Sequence, residues 1–192
     1  MKVTIRRESP GDASVIRAVV GSAFGEDGPL ICHLVDMLRA HACGRDGLSL
    51  VAVDDADGRS RVVGQVMVTR SRLDTLPQLI DVGVLSPLAV EPAAQGHGVG
   101  GLLVAAAIEA AGSARLPALF LEGDPGFYGR QGFVAATPLG FRKPSLRIPD
   151  AAFQVRLLDG YETWMTGTLV YAEPFWDLDC VGLREPEGDS PA

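Results

Sequence analysis

The segment Gln95-Gly96-His97-Gly98-Val99-Gly100-Gly101 gathers four glycines, an amide and an imidazole immediately ahead of an Ala-rich run. A turn of this kind opening a helix brings unpaired backbone N–H groups together at the positive end of the helix dipole. The glycines at 96, 98, 100 and 101 remove side chains that would hold an anion off the main chain, and Gln95 adds an amide that can donate to an oxygen. A pyrophosphate suits such a site. The competing reading is a connection that needs glycine only for tight packing. Two other phosphate-binding patterns do not fit. A dinucleotide fold needs G-x-G-x-x-G directly after the first strand of a βαβ unit, and a P-loop needs G-K-[ST] at the helix start. Here Leu102 follows Gly101 and the helix carries no Lys.

Other reactive side chains are less suggestive. Cys32-His33 and His41-x-Cys43 match no standard zinc spacing and sit on an apolar helix, so they read as packing residues and no metal is expected. None of Cys32, Cys43 and Cys180 lies in the glycine motif or beside a base, which disfavours a covalent cysteine mechanism. Three widely spaced cysteines also argue against a disulfide framework. A net charge of −7 removes nucleic acid from the expected partners and mildly favours a cationic one such as an amine.

These residues need a scaffold. At 192 residues and 47% hydrophobic content the chain is expected to form one domain over residues 1–178, with 179–192 as a flexible tail. No export leader and no membrane-spanning run is read from it, so a cytoplasmic protein without a membrane partner is expected. Val3 to Arg7 alternates as a strand, and Ser9 to Asp12 supply turn and cap chemistry before a helix from Ala13 to Phe24. A second helix follows through Leu30 to Leu38, with Gly44 as a stop. Leu48–Val53 and Val62–Arg70 flank the turn-forming Asp54, Asp55, Asp57 and Gly58 as a hairpin. Gly83–Val90 is a strand and Val99–Ala111 a helix, with the glycine turn between them. Leu119–Glu122, Phe133–Ala136, Phe153–Leu158 and Gly167–Tyr171 read as further strands, and Pro125–Gln131 as a short helix or turn.

Gln95-Gly96-His97-Gly98-Val99-Gly100 follows the pattern [QR]-x-x-G-x-[GA], and Tyr128-Gly129-Arg130-Gln131-Gly132-Phe133 follows Y-x-x-x-G-F. With both motifs in place, the chain resembles the GNAT N-acetyltransferases. Gly123-Asp124-Pro125-Gly126-Phe127-Tyr128 further resembles a bacterial branch with a G-D-P-x-[FY]-Y segment and a late extension. The resemblance runs from about Val3 to Leu178. It implies an α/β (α+β) fold: a mixed sheet of six or seven strands flanked by about four helices, with a C-terminal β extension.

The resemblance also implies acetyl-CoA as cosubstrate, an amine acceptor and direct attack in a ternary complex, and it leaves room for a homodimer. Leu88, Ala89 and Val90 would meet the pantetheine arm. Gln95, Gly96, His97, Gly98, Val99, Gly100 and Gly101 would cradle the pyrophosphate, His97 lining that site or facing solvent. Tyr128 would protonate the leaving thiolate. Several family members carry a Glu on the fourth strand as base, but Val84 stands there in this chain, which leaves Glu122 as the substitute with Asp124 and Asp81 behind it. Glu26 and Asp27 between the first helices, and an aromatic wall of Trp164, Tyr171, Phe175 and Trp176 on late strands, are candidates for the acceptor pocket. The missing Glu keeps open a second reading, a noncatalytic acyl-CoA-binding module.

Overall fold

Along β2 (Leu48–Asp54), Val51 and Val53 turn to one face while Leu48, Leu50 and Ala52 turn to the other, and all five are buried. A strand buried on both sides requires cover on both faces of its sheet. The computed structural model describes residues 1–41, 48–56 and 58–182. Cys43, Gly44, Asp57 and residues 183–192 of the expected tail lie outside the described residues, whereas Val181 is buried.

β1 (Val3–Arg7), β2, β3 (Arg61–Thr75), β4 (Leu79–Val90), β5 (Ala118–Glu122), β6 (Val134–Ala135), β7 (Phe153–Leu157) and β8 (Gly167–Val170) form one mixed sheet. Their order is β1-β2-β3-β4-β5-β7-β6, with β8 beside β3. This eight-stranded sheet slightly exceeds the six or seven strands expected. β3 and β4 also run longer than their apolar cores suggest, because Arg72 and Asp81 face each other across the hairpin and pair at 2.6 Å. β2 stops pairing with β3 at Val68, and β8 takes up the edge of β3 from Arg72 to Thr75.

α1 (Ala13–Phe24) and α2 (Gly28–Ala40) cover one face through Ile16, Val19, Val20, Leu34, Val35 and Leu38. α3 (Val99–Ser113) covers the other through Leu103, Val104, Ala107 and Ala111. α4 (Pro125–Tyr128) and α5 (Glu173–Asp177) are single turns. Phe175 and Trp176 therefore lie on a helix, not on the late strand expected for them, because Pro174 in the first turn fixes a helical φ and withdraws a ladder donor. Among the described residues no helix is long and apolar enough to cross a membrane.

Two features of β4 shape the site. It pairs with β5 in parallel only at Gly83↔Leu119 and Val84↔Phe120, so its second half leaves β5 and a gap opens between them. It also bulges: Val68 faces Leu85 and Val66 faces Leu88, leaving Met67 opposite both Ser86 and Pro87. A bulge tolerates a proline that a regular central strand would not. The extra residue inverts the facing of all that follows. Val82 and Val84 pack on the α1/α2 side, whereas Leu88 and Val90, of the same parity, pack on the α3 side.

Candidate active site

The glycine turn closes on the free edge of β4. Gly96 and Gly98 hold φ of +75° and +82°, the left-handed region that side chains with a Cβ disfavour, and Gly98 caps α3. Gly100 is small for a different reason: a Cβ there would meet the Phe127 ring at 3.3 Å. Leu88, Val90, Ala94, Gln95, Gly96, Gly98, Val99, Gly100, Phe127 and Arg130 line a cleft of about 470 Å³. The open N-terminus of α3 supplies N–H donors at this cleft.

Most of the residues expected to bind cofactor are brought together here, but their roles divide. Glu91 N–H donates to Val63 carbonyl at 2.9 Å, so the alternation of an antiparallel pair turns the main-chain groups of Ala89 toward β3 and those of Leu88 and Val90 toward the gap. Ala89 is buried and absent from the cleft lining. Gln95 borders the cleft, and its Nε2 donates to Val90 carbonyl at 3.0 Å, which ties the turn to the strand end. His97 Nδ1 donates to Gln95 carbonyl at 2.8 Å, and His97 and Gly101 lie outside the lining. Phe127 and Arg130 were not anticipated. Their position inside the second motif was the available signal, and Arg130 brings a cation to a cleft on an acidic protein.

Tyr128 follows directly. Asp124 accepts from Gly126 N–H at 2.9 Å and caps α4, and Pro125 occupies its first position. A Cβ on Gly123 would overlap the Tyr128 ring. The ring meets Phe127 and Phe133 edge-on, at centroid distances of 4.8 and 5.8 Å, within the cluster under α3. Among the described residues the hydroxyl has no hydrogen-bond partner, and burial raises its pKa to about 12.

Glu122 turns the other way. Alternation along β5 puts it on the α1/α2 side with Ala118 and Phe120, where it borders a cavity of about 120 Å³ with Ser86, Tyr171, Phe175 and Cys180. Burial pushes its carboxyl up; hydrogen bonds from Tyr171 and Gly182 and the charge of Arg147 oppose the shift. The two reserve carboxylates are committed elsewhere. Asp124 is the α4 cap, and Asp81 pairs with Arg70 at 3.3 Å as well as with Arg72. Val84, expected where several members of the resembled family carry a Glu, is buried in the core.

Of the expected aromatic wall, Tyr171 and Phe175 border this cavity, whereas Trp164 and Trp176 are exposed outside its lining. Glu26 and Asp27 are exposed, but the Asp27 charge reaches Cys180. Cys180 lies at the site after all, 58 residues beyond Glu122 in number and brought there by the final segment. Burial first, then Asp179 and Asp27, push its thiol up and away from a nucleophilic thiolate. Cys32 is buried, its Sγ donating to Arg17 carbonyl at 3.3 Å. Among the described residues no three His, Cys, Asp or Glu side chains come together to hold a metal.

Residues 45–135 match the family model of the acetyltransferase (GNAT) domain. The uncharacterized N-acetyltransferase YjhQ of Escherichia coli strain K12 is 31% identical over 169 residues, covering 85% of this chain and 88% of its own. Among solved structures, the GNAT family N-acetyltransferase YhbS of Escherichia coli, in complex with CoA, superposes with a TM-score of 0.77 at 28% identity over 91% of this chain and 92% of that one. A GNAT family acetyltransferase of Brucella melitensis, in complex with acetyl-CoA, does so with a TM-score of 0.69 at 29% identity, covering 90% and 97%.

Proposed function

Because the chain belongs to the GNAT family of N-acetyltransferases, we propose that it moves an acetyl group from acetyl-CoA, held in the α3 cleft, to a primary amine entering from the α1/α2 side. The observation that carries this reading is the bulge of β4. Ser86 at its start borders the small cavity and Leu88 after it borders the cleft, so one strand serves two compartments on opposite faces of the sheet. The CoA and acetyl-CoA in the two similar structures support the choice of donor. The Gly123-Asp124-Pro125 support under Tyr128 favours the G-D-P-x-[FY]-Y branch.

In this mechanism the α3 N-terminus and Arg130 meet the pyrophosphate, and the main-chain groups of Leu88 and Val90 pair with the pantetheine arm and polarise the thioester carbonyl. Glu122 accepts a proton from the substrate ammonium. The freed amine nitrogen forms its bond to the acetyl carbon as the carbon–sulfur bond breaks, Tyr128 donates a hydrogen bond to the departing sulfur, and the nitrogen's second proton passes through solvent to the thiolate as the amide forms. With its pKa at about 12, the phenol holds its proton more tightly than a free thiol ordinarily does, near 8.5. Its contribution is therefore a hydrogen bond that strengthens as charge builds on sulfur, the phenol keeping its own proton. Carboxylate and phenol act from opposite faces, which suits direct transfer in a ternary complex.

The test is calorimetric titration with acetyl-CoA, followed by thiol release over a panel of primary amines. Binding plus amine-dependent release is the expected result. Binding with no release across the panel would favour the noncatalytic module, and absence of binding would overturn the reading altogether.

A further inference from the structure

The two oxygens of Glu122 are held by different donors, both from the last described stretch of chain. Tyr171 Oη–H donates to Oε1 at 2.8 Å, and Gly182 N–H donates to Oε2 at 3.1 Å. Neither donor is free to wander. Tyr171 is 5% exposed with its ring against Phe175 at 5.2 Å, and Gly182, at φ +66°, passes so close to the Arg147 main chain that a Cβ would meet it at 2.8 Å. Resting on the reading that Glu122 is the base, we propose that Tyr171 is its positioning residue: the phenol anchors Oε1, the Gly182 amide anchors Oε2, and the carboxylate is thereby presented to the cavity it shares with Ser86.

An ionised carboxylate only accepts hydrogen bonds, so each donor also favours the charged form, the form a base must start from. The groups facing it are few. Arg147, ion-paired with Asp179 at 2.9 Å, attracts a negative charge on Glu122. The Cys180 thiol borders the same cavity, where its proton is held by burial and by the charges of Asp179 and Asp27. Without the Tyr171 hydroxyl, the effect of burial would be opposed less and Glu122 would take up its proton at a higher pH.

The decisive measurement is the carboxyl titration of Glu122 in the full chain, followed by carbon-13 NMR of labelled glutamate and assigned by loss of the signal in Glu122→Gln. Tyr171→Phe keeps the buried ring and is expected to move that titration upward by about one pH unit. Placing 3-fluorotyrosine at position 171 strengthens the donor and moves it downward. It also provides a structure-conserving arm if Tyr171→Phe folds poorly. The acidic limb of kcat/KM should follow both shifts, with acetyl-CoA affinity unchanged. A Glu122 titration that ignores both replacements overturns the proposal. A shifted titration in a protein whose Glu122→Gln variant keeps full turnover overturns instead the base reading beneath it.

Discussion

Tyr128 and Glu122 are perturbed in the same direction by the same cause, with opposite chemical consequences. Burial raises both. In the proposed roles, the phenol stays protonated and able to donate a hydrogen bond, whereas protonation of the carboxyl is brought closer to neutrality, where a base becomes inactive. Turnover should therefore rise with pH through a titration above the ordinary carboxylate range, with no falling limb from Tyr128 below pH of about 12. A pH profile of kcat/KM that stays flat on the acid side would count against Glu122. Tyr128→Phe should lower kcat by about 10²-fold while leaving acetyl-CoA affinity unchanged, as thiol release and calorimetry on the same samples would show. Tyr128 was legible because its motif is local. The partners of Glu122 were not, since Tyr171 and Gly182 lie 49 and 60 residues away in sequence and no spacing rule links them.

At the level of elements, the strand-turn-helix unit around residues 90–101 works by stapling a strand end to a helix start. Gln95 performs the stapling through Val90 carbonyl, so Gln95→Ala should loosen the turn. The loss of one such hydrogen bond, about 1 kcal/mol, would weaken acetyl-CoA binding about fivefold, measurable by titration calorimetry. Gly98→Ala acts on the same unit through the backbone. Nothing lies within 4 Å of the added methyl, so its effect comes from φ alone, a destabilisation of about 1–2 kcal/mol read as a lower Tm. The position and type of this unit were legible from the glycines and the Ala-rich run. The β4 bulge and the gap from β5 were not: Ser86-Pro87 reads as an ordinary strand stretch until its partner Met67 is known. α5 escaped for a related reason, since a one-turn helix carries too few residues to show a period.

For the whole molecule, the sheet and its two covers stand or fall together. Phe120 is fully buried between Phe141, edge-on at 5.0 Å, and Phe153, stacked at 5.8 Å. Phe120→Ala should cost about 3–5 kcal/mol, a large share of a domain's stability, and denaturant unfolding would measure it. Asp12 ties the first strand to the first helix: it accepts from Arg6 at 2.6 Å and from Ser9 N–H at 2.7 Å, and these donors hold its carboxyl far below its usual range. Its contribution is then full above the unfolded-state pKa of about 4 and is lost as pH falls through the depressed folded value. Asp12→Asn removes the charge that Arg6 and Ser9 N–H bond to and should cost about 1 kcal/mol near neutrality, and the difference from wild type should vanish in strong acid. Equal stability near neutrality would remove the argument.

What the sequence determined by itself was whatever depends on neighbours along the chain: the helix and strand periods, the anion-friendly turn, the aromatic motif and, through their resemblance to a family, the reaction class and the proposed donor. What only the tertiary structure decided was facing and company. The bulge turned Leu88 and Val90 toward the cleft and Ala89 away from it, the cap at Asp124 and the pairs at Asp81 left Glu122 as the one of the three carboxylates that borders the small cavity, and the last segment delivered Tyr171, Cys180 and Gly182 to it. The physical reason is that side-chain direction in a sheet depends on register with a partner strand, and a buried charge depends on donors arriving from anywhere in the chain. Neither is written in local spacing.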